Sequence, residues 1–252
     1  MLNRLRAWLF GSPRLSVYCF EAGKADAFLL TTRRGAVLID AGLRGFGREI
    51  VAHLEHAGIG AIDWLIITHF DRDHVGGAAR VINRFPVRRV LQGGDPGDGD
   101  RRYFRALNRS GLAPVTVRRT LRFRLDGVKF TVEPPGRGRG RNNASLIVSA
   151  VAGERAFLFA GDAQTERLEE YLNTRPRRYD FLKVPHHGQA EPLMAALAAR
   201  IAPEIAVITS SEDQPELKQT VRALKAAGAR VLLTRKGPIL VTTDGKTLEA
   251  RQ

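Results

Sequence analysis

Disulfide chemistry is closed to this chain, because Cys19 stands alone among 252 residues. It lies inside the apolar stretch Leu15 to Phe20, the setting of a packed structural thiol and not of a nucleophile, and a reducing compartment is compatible with it. Long apolar runs are missing too. Ala7-Trp8-Leu9-Phe10, preceded by Arg4 and Arg6 and broken by Gly11-Ser12-Pro13, falls short of the ~7 to 15 apolar residues of a signal core or the ~20 of a membrane span. The expectation is a basic, apolar extension over residues 1–14 followed by a single domain over 15–252, in a cytoplasmic protein without a transmembrane segment. No repeat and no linker long enough to split the chain appears. Acidic residues are also in short supply, 26 against 40 Lys and Arg, for a formal net charge of +14. Such a field favours polyanions, with nucleic acid first and an anionic membrane or another phosphorylated polymer behind it. A generally arginine-rich composition gives the same sum, so charge alone does not choose. With 44% hydrophobic and 26% charged residues the chain is globular, not disordered.

What is present is concentrated in Thr68-His69-Phe70-Asp71-Arg72-Asp73-His74-Val75-Gly76-Gly77. The apolar run Trp64-Leu65-Ile66-Ile67 before it reads as a buried strand, and Val75 to Phe85 after it has helical spacing. Two imidazoles and two carboxylates thus sit on a strand-to-helix turn, in the donor mix that zinc, manganese or iron accepts. A helix cap with two surface histidines is the plainer reading, but capping accounts for one acid and for neither imidazole. Gly76-Gly77 adds weight. Two glycines in a first helical turn carry a propensity cost that calls for a reason such as close backbone approach.

His69-x-Asp71-x-Asp73-His74-x-Gly76-Gly77 resembles the second motif of the metallo-β-lactamase fold hydrolases, in the variant whose second histidine is aspartate. That variant is typical of the nuclease-like domain of ComEC/Rec2 competence proteins and their free-standing relatives. Further stretches match in turn. Asp40 closes the apolar strand Ala36 to Ile39, and Asp26 stands in Gly23-Lys24-Ala25-Asp26, with Ala25 where the family usually has glycine; structural turns are the alternative for both. Asn142-Asn143-x-Ser145-Leu146 matches the ComEC-type signature. Ala160-Gly161-Asp162 matches the motif whose carboxylate bridges two metals, and Pro185-His186-His187-Gly188 matches the His-His-Gly motif. Where the family usually carries an Asn-rich loop ending in Gly-His-Pro, this chain has Ser210-Ser211-Glu212-Asp213-Gln214-Pro215, with Glu212 or Asp213 as substitute donors.

The resemblance implies an α/β (α+β) four-layer αββα sandwich. It implies two divalent metal ions, zinc or manganese, held by His69, Asp71, Asp73, His74, Asp162 and one of His186 and His187. Asp73, Asp162 and His187 would carry the chemistry, with Asp26, Asp40, Asn142, Asn143 and Ser145 behind them. The expected activity is that of a metal-dependent hydrolase, a phosphodiesterase or nuclease acting on DNA through a metal-activated hydroxide. Small-molecule phosphoester, lactone or thioester hydrolysis on the same fold stands beside it, as does a non-catalytic nucleic-acid-binding protein with a degraded site. Gly136-Arg137-Gly138-Arg139-Gly140-Arg141 offers Arg137, Arg139 and Arg141 to grip phosphates from a flexible backbone, or else is a solvated linker. Gln92 to Asp100 lacks calcium-loop spacing and reads as a loop rimming the site. His53 and His56, on a helix over Gly47 to His56, read as surface residues. Val115 to Val132 reads as one hairpin turning at Asp126-Gly127.

Overall fold

Strands whose two faces are both apolar must be covered on both sides, and this chain covers them in four layers. The computed structural model describes residues 14–94, 100–138 and 140–252. The expected N-terminal extension, apart from Arg14, lies outside the described residues, as do most of the loop before Asp100 and Arg139. Eight strands form one sheet: β1 (Leu15–Cys19), β2 (Phe28–Thr31), β3 (Ala36–Ile39), β4 (Trp64–Ile67), β5 (Val90–Gln92), β6 (Val115–Thr116), β14 (Ile239–Thr243) and β15 (Glu249–Arg251), in the order β15-β14-β1-β2-β3-β4-β5-β6. Seven form the other: β7 (Leu121–Leu125), β8 (Val128–Glu133), β9 (Ile147–Ala152), β10 (Arg155–Phe159), β11 (Phe181–Lys183), β12 (Ile205–Ile208) and β13 (Arg230–Leu233), in the order β13-β12-β11-β10-β9-β8-β7.

Alternation along single strands decides which residue meets which layer. Val37, Ile39 and Ile66 enter the core between the sheets with Phe157, Phe159, Phe181 and Val207. Their neighbours Leu38, Leu65 and Ile67 turn outward onto helices α1 (Gly47–His56), α3 (Ala78–Arg84) and α4 (Arg101–Arg109), through Ile50, Leu54, Val81 and Tyr103. On the far side Leu158, Leu182 and Ala206 meet α5 (Thr165–Asn173), α6 (Met194–Ile201) and α7 (Lys218–Ala226).

Strands β3, β4 and β5 run parallel to one another, and so do β10, β11 and β12. Their carboxyl ends therefore gather the segments beginning at Asp40, Thr68, Asp162, Val184 and Thr209, which is where open α/β sheets place their sites.

The helix expected from Val75 starts earlier, as α2 (Arg72–Val75), and is interrupted by the glycine pair before α3. The reason is contact, as the propensity cost suggested. A Cβ on Gly77 would lie 2.2 Å from the Ala41 carbonyl oxygen, and one on Gly76 would lie 2.3 Å from that of Arg72 and 2.6 Å from the Arg44 nitrogen. Gly77→Ala is thus expected to cost about 1–3 kcal/mol, the scale of overpacking, by forcing away the loop that follows Asp40. Urea unfolding checks it, and unchanged stability would refute the packing reason.

Two expectations need correction. Val115–Thr116 does not belong to the hairpin: it pairs in parallel with β5 in the first sheet, and the chain crosses before β7 and β8 pair in the second. The apolar alternation is the same on both sides of the crossing, so period could not reveal it. His53 is not a free surface residue, because its ring stacks on Tyr18 with centroids 4.1 Å apart. Strand β15 was not foreseen; Glu249-Ala250-Arg251 is an edge strand with no apolar pattern.

Candidate metal centre

Four donor side chains meet at the gathered strand ends. Asp73 and His74 come from α2, Asp162 follows β10, and His187 follows β11; one ligand atom from each lies within 4.8 Å of the others. His74 Nε2 is 3.3 Å and His187 Nε2 3.1 Å from Asp162 Oδ2, while Asp73 Oδ2 is 3.4 Å from His187 Nε2. His69 packs against His74 with ring centroids 4.0 Å apart, and its Nε2 lies 3.7 Å from Asp71 Oδ2.

The opposite nitrogen of each imidazole is already engaged. His74 Nδ1 donates to Asp40 Oδ2 at 2.8 Å. Asp40 in turn accepts from the Thr68 backbone nitrogen at 2.8 Å and the Thr68 hydroxyl at 2.7 Å. His187 Nδ1 is 2.8 Å from the Thr209 hydroxyl, which donates to Asp26 Oδ1 at 2.7 Å. His69 Nδ1 faces the hydroxyls of Thr68 at 3.2 Å and Ser145 at 3.3 Å. Such partners fix the tautomer and aim the remaining nitrogen. The remaining Nε2 atoms of His69, His74 and His187 are buried without a hydrogen-bond partner. Three imidazole nitrogens without a hydrogen-bond donor, turned toward carboxylates, suit a divalent cation, because each offers a lone pair to the ion once it carries no proton.

Charge within the cluster is strongly coupled. Burial alone would lower His74 and His187, but the neighbouring carboxylates, Asp162 foremost, outweigh it and raise both. Burial would raise Asp162, yet His187, His74 and Lys183 together hold it well below the carboxylate range. Asp73 is likewise pushed up by burial and pulled down further by His187 and His74, to about 2. Asp71 is lowered by its approach to His69.

Lys183 was missed by sequence reasoning. Fully buried at the end of β11, its ammonium donates to the Gly161 carbonyl at 2.7 Å and pairs with Asp162 Oδ1 at 3.2 Å and Asp26 Oδ2 at 2.5 Å. It thereby turns the other Asp162 oxygen toward the imidazoles. The available signal was a lone charge in the apolar run Phe181-Leu182-Lys183-Val184. A second grouping, Asp26, Asp40 and His74, also lies close together. It is a supporting layer, since Lys183 neutralises Asp26 and Asp40 holds the His74 Nδ1 hydrogen.

The other expected residues are placed as follows. His186 stands outside the four-donor group, its Nε2 3.3 Å from Asn142 Nδ2 and its Nδ1 3.4 Å from Gln164 Nε2. Asn143 accepts from the Gln164 and Arg167 backbone nitrogens at the start of α5 and donates to Glu166 at 2.8 Å. Ser145 links the two halves, its hydroxyl accepting from the Asp162 backbone nitrogen at 3.1 Å while touching His69. Arg141 reaches Asp71 at 3.5 Å. The Gly-Arg loop is not free where it leaves β8: Arg137 N donates to Glu170, and Cβ atoms on Gly136 or Gly138 would strike Arg167 or Glu166. Glu212 is turned away into a 2.8 Å pair with Arg235, and Asp213 is exposed, so neither joins the donors. Asp40, His186 and His187 all hold positive φ, 56°, 48° and 52°. Strained backbone gathered at one place is a mark of functional sites.

Two facing sheets with helices outside, and histidines and aspartates at one edge, define a metal-dependent hydrolase architecture. The chain belongs to the metallo-beta-lactamase superfamily, whose family model matches residues 21–210. It is similar to ComE operon protein 3 of Bacillus subtilis, 27% identical over 257 residues that cover 90% of this chain and 33% of that protein. Recombination protein 2 of Haemophilus influenzae is 25% identical over 210 residues, covering 81% of this chain and 25% of that protein. The chain thus spans between a quarter and a third of the length of these relatives. Among solved structures it resembles the metallo-beta-lactamase fold protein YhfI from Bacillus subtilis, with a TM-score of 0.62 at 9% identity over 94% of this chain and all of that one. Zn(2+)-bound PqqB from Methylobacterium extorquens gives 0.56 at 14% identity, over 82% of this chain and 85% of that one. Among the described residues no helix is long and apolar enough to cross a membrane.

Proposed function

We propose that this chain is a metal-dependent phosphodiesterase acting on DNA, a nuclease-like member of its superfamily. The observation that carries the reading is the set of three buried Nε2 atoms without partners, on His69, His74 and His187, beside the carboxylates of Asp73 and Asp162. Asp73, His74 and His187 would hold one ion, His69 and Asp71 the other, and Asp162 would stand between them. When bound, divalent ions supply Lewis acidity, making water acidic enough to attack at neutral pH and offsetting charge on phosphoryl oxygens.

The protein's own groups do the rest. Asp40 and Thr209 keep the His74 and His187 tautomers that present Nε2. Lys183 and Ser145 hold Asp162 from two sides. Five carboxylates, Asp26, Asp40, Asp71, Asp73 and Asp162, gather at this edge, and among the described lysines and arginines only Lys183 and Arg141 pair with them, an arrangement that divalent cations would complement. An oxygen-rich set of this kind moves the preference from zinc alone towards manganese. Arg141, 3.5 Å from Asp71, would hold a phosphate at the mouth. The net charge of +14 supports a polyanionic substrate, as do relatives named for competence and recombination.

The test is a panel of single-stranded DNA, RNA, a chromogenic phosphodiester and a lactone, assayed with manganese or zinc and with chelator, beside metal analysis of the purified protein. Cleavage of DNA that disappears with chelator is expected. Metal affinity should rise with pH through and above the ordinary imidazole value of about 6.5, because an ion must displace the protons that the carboxylates hold on His74 and His187. Activity on the lactone alone would overturn the phosphodiesterase reading. Well under one ion per chain, with DNA binding indifferent to chelator, would overturn the enzyme.

A further inference from the structure

Beside the metal centre lies an arginine-lined groove that the Gly-Arg loop does not account for. Its inner part, about 710 Å³, is lined by Arg44, Arg72, Arg101, Arg102, Arg105 and Arg141 around Phe70 and Leu43. A second hollow of about 570 Å³ shares Arg44, Arg102 and Arg105 with it and adds Arg48, Arg80 and Arg109. The two make one path that starts at Arg141, 3.5 Å from Asp71 at the edge of the centre, and leaves over α4.

Some arginines away from the path are matched by acids, Arg155 by Asp180 and Glu204 and Arg235 by Glu212 and Glu216. Exposed ones such as Arg33, Arg34 and Arg122 are not, so what sets the path apart is that its unpaired arginines converge on one hollow. Along the path, Arg44, Arg48, Arg72, Arg80, Arg101 and Arg109 make no ion pair with any described carboxylate, and Arg102 only a 4.0 Å approach to Asp100. Folding does not favour this arrangement. Arg101 and Arg102 sit at the positive end of the α4 dipole, and Arg101/Arg105 and Arg105/Arg109 are like-charge pairs at i,i+4, both of which destabilise a helix. Arg102, Arg105 and Arg109 share a face at i, i+3 and i+7. They span about 10 Å, the length of roughly three stacked nucleotides at ~3.4 Å each. Leu43, one of two large hydrophobics exposed among the described residues, adds apolar surface along the wall. A basic groove with apolar or aromatic contact surface is how single strands are held without regard to sequence. Hollows of this volume are of ligand-cleft size, with room for a few nucleotides of one strand.

We propose that the groove between Arg44/Arg72 and the Arg102-Arg105-Arg109 face of α4 is the track of a single-stranded nucleic acid, leading its backbone to the metal centre. The proposal rests on the nuclease reading for what happens at the end of the track, and its test is independent of cleavage. Binding of a fluorescein-labelled oligothymidylate is measured in chelator across a salt series, for the wild type and for the triple variant Arg102→Gln/Arg105→Gln/Arg109→Gln. A charge-matched control, Arg33→Gln/Arg34→Gln/Arg88→Gln, alters the basic hollow at the opposite end of the strands.

The α4 triple variant is expected to bind at least about ten-fold more weakly, with a log–log salt slope shallower by about 2, from ~0.7 per lost phosphate contact; the control should retain wild-type binding. Equal losses in both variants, or none in the α4 variant, would overturn the track. A duplex bound as tightly as the single strand, through the same arginines, would overturn its single-stranded character. Groove-dependent binding without cleavage of any nucleic acid supports the track while removing the nuclease reading. Cleavage of the chromogenic phosphodiester with groove-independent DNA binding does the reverse.

Discussion

Asp73→Ala is expected to lower metal-dependent cleavage by about a thousand-fold or more, the scale of losing several kcal/mol of transition-state stabilisation, while leaving the fold intact. Asp73 stands at the open side of the cluster, with its carboxylate 3.4 Å from His187 Nε2. Its removal takes an anionic donor from the ion shared with His74 and His187. It also relieves crowding with Asp162, so unfolding in urea without metal should change by less than about 1 kcal/mol, the median range for partly exposed ion pairs. Metal content per chain and initial rates on single-stranded DNA check the prediction together. Undiminished cleavage by this variant would end the proposed mechanism, because no other described residue of the group offers a carboxylate from α2.

Lys183→Met should act in the opposite way, on stability first. The methionine fills a similar volume, but it leaves Asp26 and Asp162 buried side by side without the ammonium between them. Stranding a buried charge costs about 3–5 kcal/mol, a large share of the ~5 to 15 kcal/mol that holds a domain together. Burial by itself would lower the Lys183 value, yet Asp26 and Asp162 raise it, so the lysine stays charged and its loss is felt across the pH range near neutrality. Added manganese or zinc should restore part of the lost stability, since a cation at the centre compensates the same carboxylates. A metal-free unfolding free energy within about 1 kcal/mol of wild type would contradict the pairing inferred for Lys183.

The helix expected over Gly47 to His56 and the strands over Ala36 to Ile39 and Trp64 to Ile67 have the bounds the residue pattern indicated. The four layers were expected from the family resemblance, and the apolar pattern agrees with them. Runs such as Val37 to Ile39 are apolar on both faces, and amphipathic stretches between them show one apolar side. The crossing after Thr116 was not legible, because a strand that changes sheets keeps its period of two. Nor was β15, whose residues carry no pattern at all.

The site divides along the same line. His69, Asp71, Asp73 and His74 are neighbours in sequence, so their meeting is a local event, written in one turn and secured by Gly77 against Ala41 and Gly76 against Arg44. Between His186 and His187 sequence could not choose. The turn after β11, with both residues at positive φ, sends His187 to Asp162 and Thr209 and leaves His186 against Asn142 and Gln164. Asn143 and Ser145 share one short motif, yet one caps a helix and the other bridges His69 to Asp162.

By itself, then, the sequence determined single strands and helices, the family motifs and the chemical kind of the donors, because each is carried by local periodicity or by residues a few positions apart, and the layers followed from the resemblance those motifs carry. Tertiary structure alone decided which histidine joins the centre and that Lys183 anchors it. It also drew arginines from α1, α2, α3 and α4 and from the loops before α1 and β9 into one groove, most of them without an ion pair among the described residues. Those outcomes depend on parallel strands that bring their carboxyl ends to one edge, and on directions that side chains acquire only when segments far apart in the chain are packed together.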